Sequence, residues 1–149
     1  MYHSISFDIG DKKVYNTWNK WYLIPTTRPV VVQPTQTYNY VEIPGRTGAI
    51  DITDYLFKGP TYSDRVGSFE FYVTGIDRDR AYAARKADLA RFFDGSKVMK
   101  MTLEDNPGYY YKGRFFFKQW TPEATYSRVT IEYRLEPYRY TSDGKVDGL

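Results

Sequence analysis

The sequence predicts a mainly β fold: an antiparallel β-sandwich or split barrel with one α-helix and a protruding β-hairpin arm. Three observations favour this fold. Aromatic residues make up 19% of the 149 residues, and their rings suit a pleated, half-buried surface. About eight short segments alternate between apolar and polar side chains, as half-buried strands do. Only one segment has helical spacing, which excludes a parallel sheet built from strand–helix–strand units.

Composition and charge exclude several kinds of function. The net charge is only +3, from 21 basic and 18 acidic residues that are intermixed along the chain. A protein whose main function is to bind nucleic acid usually has a larger and more clustered positive charge. There is no cysteine, so disulfides and cysteine-ligated metals are excluded. His3 is the only histidine, which nearly excludes His-based metal sites and triads. We therefore expect no cofactor and no metal.

No apolar stretch approaches the roughly 20 residues that a membrane-spanning helix needs, which predicts no membrane insertion. Residues 1–4 lack the basic start and the apolar core of a signal peptide. We therefore expect the protein to be made and folded in a cytosol.

The first element is a short predicted strand, residues 4–7, which alternates and then turns. Trp18, Trp21 and Tyr22 follow as three large rings within five residues. Because tryptophan is usually highly buried, an anchor packed on the sheet is the preferred interpretation. An exposed aromatic platform for a ligand is the alternative.

Residues 29–41 carry no charged side chain and are rich in β-branched and aromatic residues. A long, uncharged, β-prone edge invites pairing with another chain. The residues alone fit equally well an ordinary hairpin buried in its own domain and an arm that pairs with a neighbouring subunit. The predicted interface residues of such an arm are Val30, Val31, Val32, Gln33, Thr35, Gln36, Thr37, Tyr38 and Tyr40.

Two strands and a helical turn are predicted in the middle of the chain. Residues 49–54 indicate a short strand, and Thr53 or Asp54 is placed to cap a helical turn that residues 59–60 end. Residues 68–74 alternate cleanly, as a half-buried strand does.

The predicted helix begins at Asp77 or Asp79, where the helix dipole favours negative charge, and runs to about Asp94. Gly95 supplies the C-terminal stop. The apolar stripe of the helix consists of Tyr82, Leu89, Phe92 and Phe93. Five basic residues between positions 78 and 91 are compatible with a nucleic-acid face, but four aspartates share the helix. A solvated surface is therefore the preferred interpretation.

The central element is a hairpin of two strands, residues 98–103 and residues 109–117, around a structural turn. The turn residues are Asn106, Pro107 and Gly108. Proline presets φ for the first central position, and a type II turn needs positive φ at the next one. We therefore predict a positive φ at Gly108.

The last predicted strand, residues 126–135, has the cleanest alternation. Its inward-pointing residues are Val129, Ile131, Tyr133 and Leu135. The prediction is one domain over residues 1–140, followed by a polar tail, residues 141–149, that is loosely ordered.

Two other classes of function are considered. A glycan-binding module could use exposed tyrosine and tryptophan rings as stacking faces for attachment to a host surface. A glycosidase could use Glu104 and Asp105 as its carboxylate pair, but adjacent strand residues point to opposite faces and would not flank one bond. We therefore predict that the protein is not an enzyme.

Five segments together resemble the N-terminal domain of distal tail proteins of long-tailed phages, a siphovirus-type tail component. They are residues 4–7 (SISF) with Trp18 and residues 21–29 (WYLIPTTRP), residues 40–45 (YVEIPG) with residues 50–53 (IDIT), residues 67–71 (GSFEF), residues 92–95 (FFDG), and residues 103–115 (LEDNPGYYYKGRF). The resemblance covers about residues 1–140, and the order and spacing of the segments carry it.

The resemblance implies a structural protein of the virion that forms a hexameric ring, assembled in the host bacterial cytoplasm. Such a ring joins the tail tube protein on one side to tail-tip or baseplate proteins on the other, and DNA passes through its lumen as cargo. A long hairpin of the first domain clasps the next subunit, which would be the role of the uncharged arm. Many members carry a second, carbohydrate-binding-like domain. This chain stops soon after residues 136–138, so we expect that domain to be absent and receptor binding to come from a partner.

Overall fold

The computed structural model describes residues 3–52, 61–74, 78–122 and 126–148, and for residues 78–82 it describes the backbone only. The strands are β1 (Ile5–Asp8), β2 (Tyr15–Asn16), β3 (Leu23–Pro25), β4 (Gln36–Thr37), β5 (Tyr40–Glu42), β6 (Ala49–Asp51), β7 (Thr61–Tyr62), β8 (Arg65–Val73), β9 (Met99–Leu103), β10 (Tyr109–Thr121), β11 (Arg128–Leu135), β12 (Arg139–Thr141) and β13 (Val146–Gly148). The helices are α1 (Thr17–Trp21) and α2 (Arg78–Phe92).

One large sheet forms the body of the protein, with strand order β2-β1-β9-β10-β11-β8-β3. Every pairing between described strands is antiparallel, and the sheet has two separate edges at β2 and β3, so it is not a closed barrel. The mainly β, antiparallel fold predicted from the sequence is therefore confirmed. Strand β10 is the longest and pairs with β9, β11 and β12.

The core lies between one face of this sheet and the two helices. The four inward-pointing residues predicted for β11 are all buried. The side chains of Leu89, Phe92 and Phe93, at the end of α2, are buried with them. The ring of Phe7 meets those of Phe93 and Phe115 edge to face, at centroid distances of 5.0 and 4.9 Å. Aromatic packing thus joins α2 to both β1 and β10.

Helix α1 is a second helix where the sequence analysis predicts only one. The Asn16 side chain caps it by accepting two backbone N–H groups of the first turn. It ends at Tyr22, which has a left-handed φ of 55°. Trp21 is buried, and its Nε1 donates to an Asp88 carboxylate oxygen in α2 at 2.8 Å. Trp21 is therefore the anchor, whereas Tyr22 stays exposed.

The prediction of a positive φ at Gly108 is wrong. Positive φ occurs at other glycines, including Gly95 at the end of α2, but not at Gly108. The backbone N–H of Tyr109 donates to the Asn106 carbonyl at 3.4 Å, so Pro107 and Gly108 are the central residues of a turn. Negative φ at both is the geometry of a type I turn, which proline also favours at its first central position.

The prediction of a loose tail is also wrong for the residues that the structure describes there. Strands β12 and β13 form a hairpin, and β12 pairs with the start of β10. The rings of Tyr110 and Tyr140 stack at a centroid distance of 5.3 Å, and Arg139 Nε lies 2.8 Å from an Asp147 carboxylate oxygen. Cross-strand contacts therefore order a segment that is polar in composition.

Some expectations fall outside the described residues. They are the cap at Thr53 or Asp54 with its helical turn, the helix start at Asp77, and the side chains of Asp79 and Tyr82. Among the described residues, no helix is long and apolar enough to cross a membrane. Within the same residues, no three histidine, aspartate or glutamate side chains group as ligands for a metal ion.

Candidate subunit interface

A hairpin leaves the body after residue 34 and returns at residue 63. Its outward half contains β4 and β5, and its return half contains β6 and β7. The pairings β4–β7 and β5–β6 join the two halves, and the Ser63 N–H donates to the Thr35 carbonyl at 2.9 Å where the hairpin meets the body. Residues 40–49 are all exposed. We call the described residues of this hairpin, 35–52 and 61–63, the arm.

The root of the arm is tied to the body by hydrogen bonds between two body side chains and the backbone of Val32. Tyr133 accepts the Val32 N–H at its hydroxyl, at 3.2 Å, and Arg65 Nη1 donates to the Val32 carbonyl at 2.9 Å. Arg65 Nε also donates to the Pro137 carbonyl at 3.1 Å, so one buried guanidinium holds the arm root and the start of the C-terminal hairpin. Burial lowers the pKa of the Arg65 guanidinium and raises the pKa of the Tyr133 phenol.

The predicted interface residues divide between root and arm. Val31 is only 7% exposed and belongs to the core. Val30, Val32 and Gln33 are exposed beside it, before the arm begins. The remaining predicted residues, Thr35, Gln36, Thr37, Tyr38 and Tyr40, lie in the arm itself and are exposed. The predicted interface residues thus span the outward half of the arm and the segment directly before it, and their role as an interface stays a prediction.

The return half of the arm and its tip were missed as interface candidates. Residues 43–48 form the tip, and Ile50 in β6 pairs with Val41 in β5. Two residues of positive φ, Gly45 and Gly48, lie in this tip. Those glycines, between two β-prone segments, were the available sequence signal for a hairpin.

The two faces of the arm differ in chemistry. One carries Tyr38, Tyr40 and Glu42; the two tyrosine rings lie 6.2 Å apart, and Tyr38 and Tyr40 are 44% and 59% exposed. The other face carries Val41 and its partner Ile50. An exposed two-stranded ribbon with aromatic and aliphatic side chains is suited to bind another protein surface.

The sequence profile of one protein family, described as "Phage tail protein RIFT-related domain", matches residues 20–132. The chain belongs to this family. It is therefore a structural phage tail protein and a component of the virion. The matched residues include the described part of the arm and all of α2, so the family domain contains the candidate interface.

A solved structure supports the fold of this phage tail protein. The structure is titled "Crystal Structure of SPP1 Dit (gp 19.1) Protein, a Paradigm of Hub Adsorption Apparatus in Gram-positive Infecting Phages", and its TM-score is 0.64 at 16% identity. The match covers 92% of this chain and 52% of the SPP1 chain, so the phage tail protein described here spans about half the length of the SPP1 protein. A search of curated protein sequences gave no match.

In this phage tail protein, the two acidic residues considered as a catalytic pair serve as ties to the N-terminal segment. Glu104 accepts the Ser4 backbone N–H at 2.8 Å, and Asp105 lies 2.6 Å from His3 Nδ1 and 3.0 Å from Arg28 Nε. The hydrogen bond from His3 is the main reason that the pKa of Asp105 is lowered. Both residues lie in the turn after β9 rather than on a strand.

Proposed function

We propose that this phage tail protein forms a ring at the distal end of the tail, with six copies as in the distal tail proteins that it resembles. One side of the ring would contact the tail tube protein and the other the tail-tip or baseplate proteins, while DNA passes through the lumen. Assembly would take place in the cytoplasm of the host bacterium. The exposed arm is the observation that carries this proposal, and the description of the SPP1 protein as a hub supports it.

The arm supports a ring because it is a two-stranded ribbon without a third strand on either edge among the described residues. Two strands alone are marginally stable in water, so a surface that covers the arm would stabilise it. If that surface belongs to the next copy, the contact is head-to-tail, and a closed ring satisfies every copy at once.

A deletion of the arm tests the proposal. Thr35 and Ser63 are already hydrogen-bonded across the root, so residues 36–62 can be replaced by Asn-Gly, the sequence that best closes a two-residue hairpin turn. Val31 and Val32 must stay, because Val31 is in the core. We expect light scattering to show a ring for the natural chain and a monomer for the deletion, with β-sheet circular dichroism retained.

The control is Val14→Ser, which removes an exposed aliphatic side chain far from the arm in sequence and should leave the ring intact. If the arm-deleted protein still assembled into full rings, the arm would not be the clasp, and assembly would depend on the faces of the body.

A further inference from the structure

The outer face of the sheet, opposite the core, carries two exposed apolar side chains among charged and polar ones. Val66 in β8 is 63% exposed and Phe116 in β10 is 52% exposed. They lie on either side of β11, in two neighbouring cross-strand rows: Val66–Arg134–Arg114 and Ser68–Glu132–Phe116. The surface between the two rows is concave. We call these six residues the outer patch.

One basic side chain of the outer patch, Arg114, forms no ion pair with a carboxylate in the described part of the chain. Arg134 Nε lies 2.8 Å from Asp64, and Lys118 Nζ lies 3.2 Å from Glu132. Arg114, the cross-strand neighbour of Arg134, donates to the Gly95 carbonyl at 3.0 Å but forms no ion pair within the described part of the chain. Arg114 and Arg134 lie directly opposite each other on neighbouring strands, and two like charges in this position repel. An acidic side chain from a binding partner would reduce this repulsion.

The Tyr38–Tyr40 face of the arm has the complementary chemistry. Its two exposed rings are apolar over most of their area and can pack against Val66 and Phe116, while each hydroxyl stays in contact with polar groups. Glu42 follows them on the same face and is exposed; among the described residues it forms no ion pair. The arm thus presents aromatic rings beside an unmatched acid, and the outer patch presents apolar side chains beside an unmatched base.

The outer patch lies near the root of its own arm, whereas Glu42 lies toward the tip. Asp64 and Val66 directly follow the return strand of the arm, so the outer patch lies near the arm root. Glu42 lies seven residues beyond Thr35, which at about 3.3 Å per residue is roughly 23 Å along the ribbon. This separation along the ribbon favours a second copy as the source of the Glu42 that meets Arg114.

We propose that the Tyr38–Tyr40 face of the arm docks on the outer patch of a second copy, with Glu42 paired to Arg114. This inference rests on the proposed ring function and names the receiving surface that the ring needs. The contact is head-to-tail, because arm and outer patch are different surfaces of one chain.

Charge reversal tests the pairing. Glu42→Arg and Arg114→Glu each place two like charges together, and we expect each to raise the protein concentration needed for half-assembly by about tenfold or more. The double variant restores the opposite pair and should return to within about threefold of the natural chain. Lys13→Glu, on the exposed turn before β2, makes the same charge change as Arg114→Glu elsewhere and should have no effect.

Disulfide trapping provides a second readout that does not depend on stable rings. The natural chain has no cysteine, so Glu42→Cys with Arg114→Cys introduces the only two thiols. Mild oxidation should give a ladder of covalent multimers, whereas Glu42→Cys with Lys13→Cys should give none above the level of single-cysteine chains.

The outcomes separate this inference from the function on which it rests. Loss of the ring on arm deletion, together with no effect of either charge reversal and no ladder, would overturn the outer patch as the receiving surface and leave the ring proposal intact. Full rings without the arm would overturn both. A rescued double variant and a specific ladder would establish the contact.

Discussion

Gly113 lies where β10 pairs with both β9 and β11. An added Cβ there would lie 2.2 Å from the Arg134 carbonyl oxygen and 2.7 Å from the Leu135 Cα, so the two strands would have to move apart. We expect Gly113→Ala to lower the free energy of unfolding by about 1–3 kcal/mol, as overpacking does. The shift in urea midpoint measures the loss.

Gly108→Ala is the matched control, because a Cβ at Gly108 meets nothing within 4 Å and its φ is negative. Its urea midpoint should be unchanged. Equal midpoints for the Gly113 and Gly108 variants would contradict the close approach of β10 and β11.

Tyr140 gives a second prediction for a single residue, in which the effect of a substitution on stability depends on pH. Its hydroxyl donates to Glu136, and this hydrogen bond raises the pKa of Tyr140 to about 12. Since the folded pKa lies above the unfolded value of about 10, the stabilisation is fully present below pH 10 and is lost as the pH rises toward 12. We expect the free energy of unfolding of Tyr140→Phe, measured in urea, to be about 1 kcal/mol lower than that of the natural chain at pH 8. The difference between the two proteins should be smaller at pH 11. A difference that does not change with pH would assign the effect to packing alone.

The elements that the sequence predicts well are those with a clean hydrophobic period. The alternation of β8 and β11 and the stripe at the end of α2 determine which side chains are buried, because burial acts on whole faces. Helix α1 has only five residues, too few to show a period, and it depends on the Asn16 cap and on Trp21 packing against α2. The hairpin of β12 and β13 depends on pairing with β10, which local sequence does not encode.

The bond between α1 and α2 gives a prediction for these elements. Trp21 is buried, and its Nε1 donates to Asp88. Asp88→Ala removes the acceptor and leaves a buried donor without its partner, which should cost about 1–3 kcal/mol in the free energy of unfolding. Asp88→Asn keeps an acceptor oxygen and should lose less. Near-ultraviolet circular dichroism would report the packing around Trp21, and urea unfolding would measure the stability of both variants. Equal stabilities of the two variants would show that the acceptor oxygen at position 88 does not contribute to stability.

The candidate site was predictable only in part. The absence of charge in residues 29–41 locates the outward half of the arm, because uncharged β-prone segments seek a partner strand. Nothing in these residues places Val31 in the core, since that depends on Tyr133 and Arg65, which are distant in sequence. The outer patch was not predicted from the sequence, because its residues come from three strands that only the sheet topology places side by side. The boundary between domain 1–140 and segment 141–149 remains a prediction.

The net charge of the whole molecule and its ion pairs predict how strongly it binds DNA. The net charge is +3, and Arg128, Arg134 and Lys118 on the outer face of the sheet each lie within 3.2 Å of a carboxylate. We expect weak, sequence-independent binding to duplex DNA, with Kd of about 10⁻⁶ M or weaker at physiological salt. Fluorescence anisotropy at two salt concentrations would measure it. A tight complex that persists at physiological salt would contradict a lumen through which DNA only passes.

The hydrogen bond between Val32 and Tyr133 can form only late in the synthesis of the chain. The two residues are 101 positions apart, and Ser4 and Glu104 are 100 positions apart. At roughly 5–20 residues per second, a ribosome needs on the order of 5–20 seconds to make the second partner after the first. The arm and Arg65 therefore leave the ribosome well before the last of the hydrogen bonds at the arm root, the one from Val32 to Tyr133, can form. That bond needs Tyr133 in β11, which is also the strand that carries Glu132 and Arg134 of the outer patch. If the arm docks on the outer patch as proposed, a nascent chain would complete its arm root and its receiving surface at nearly the same moment, so contacts between copies would form only after each body is complete.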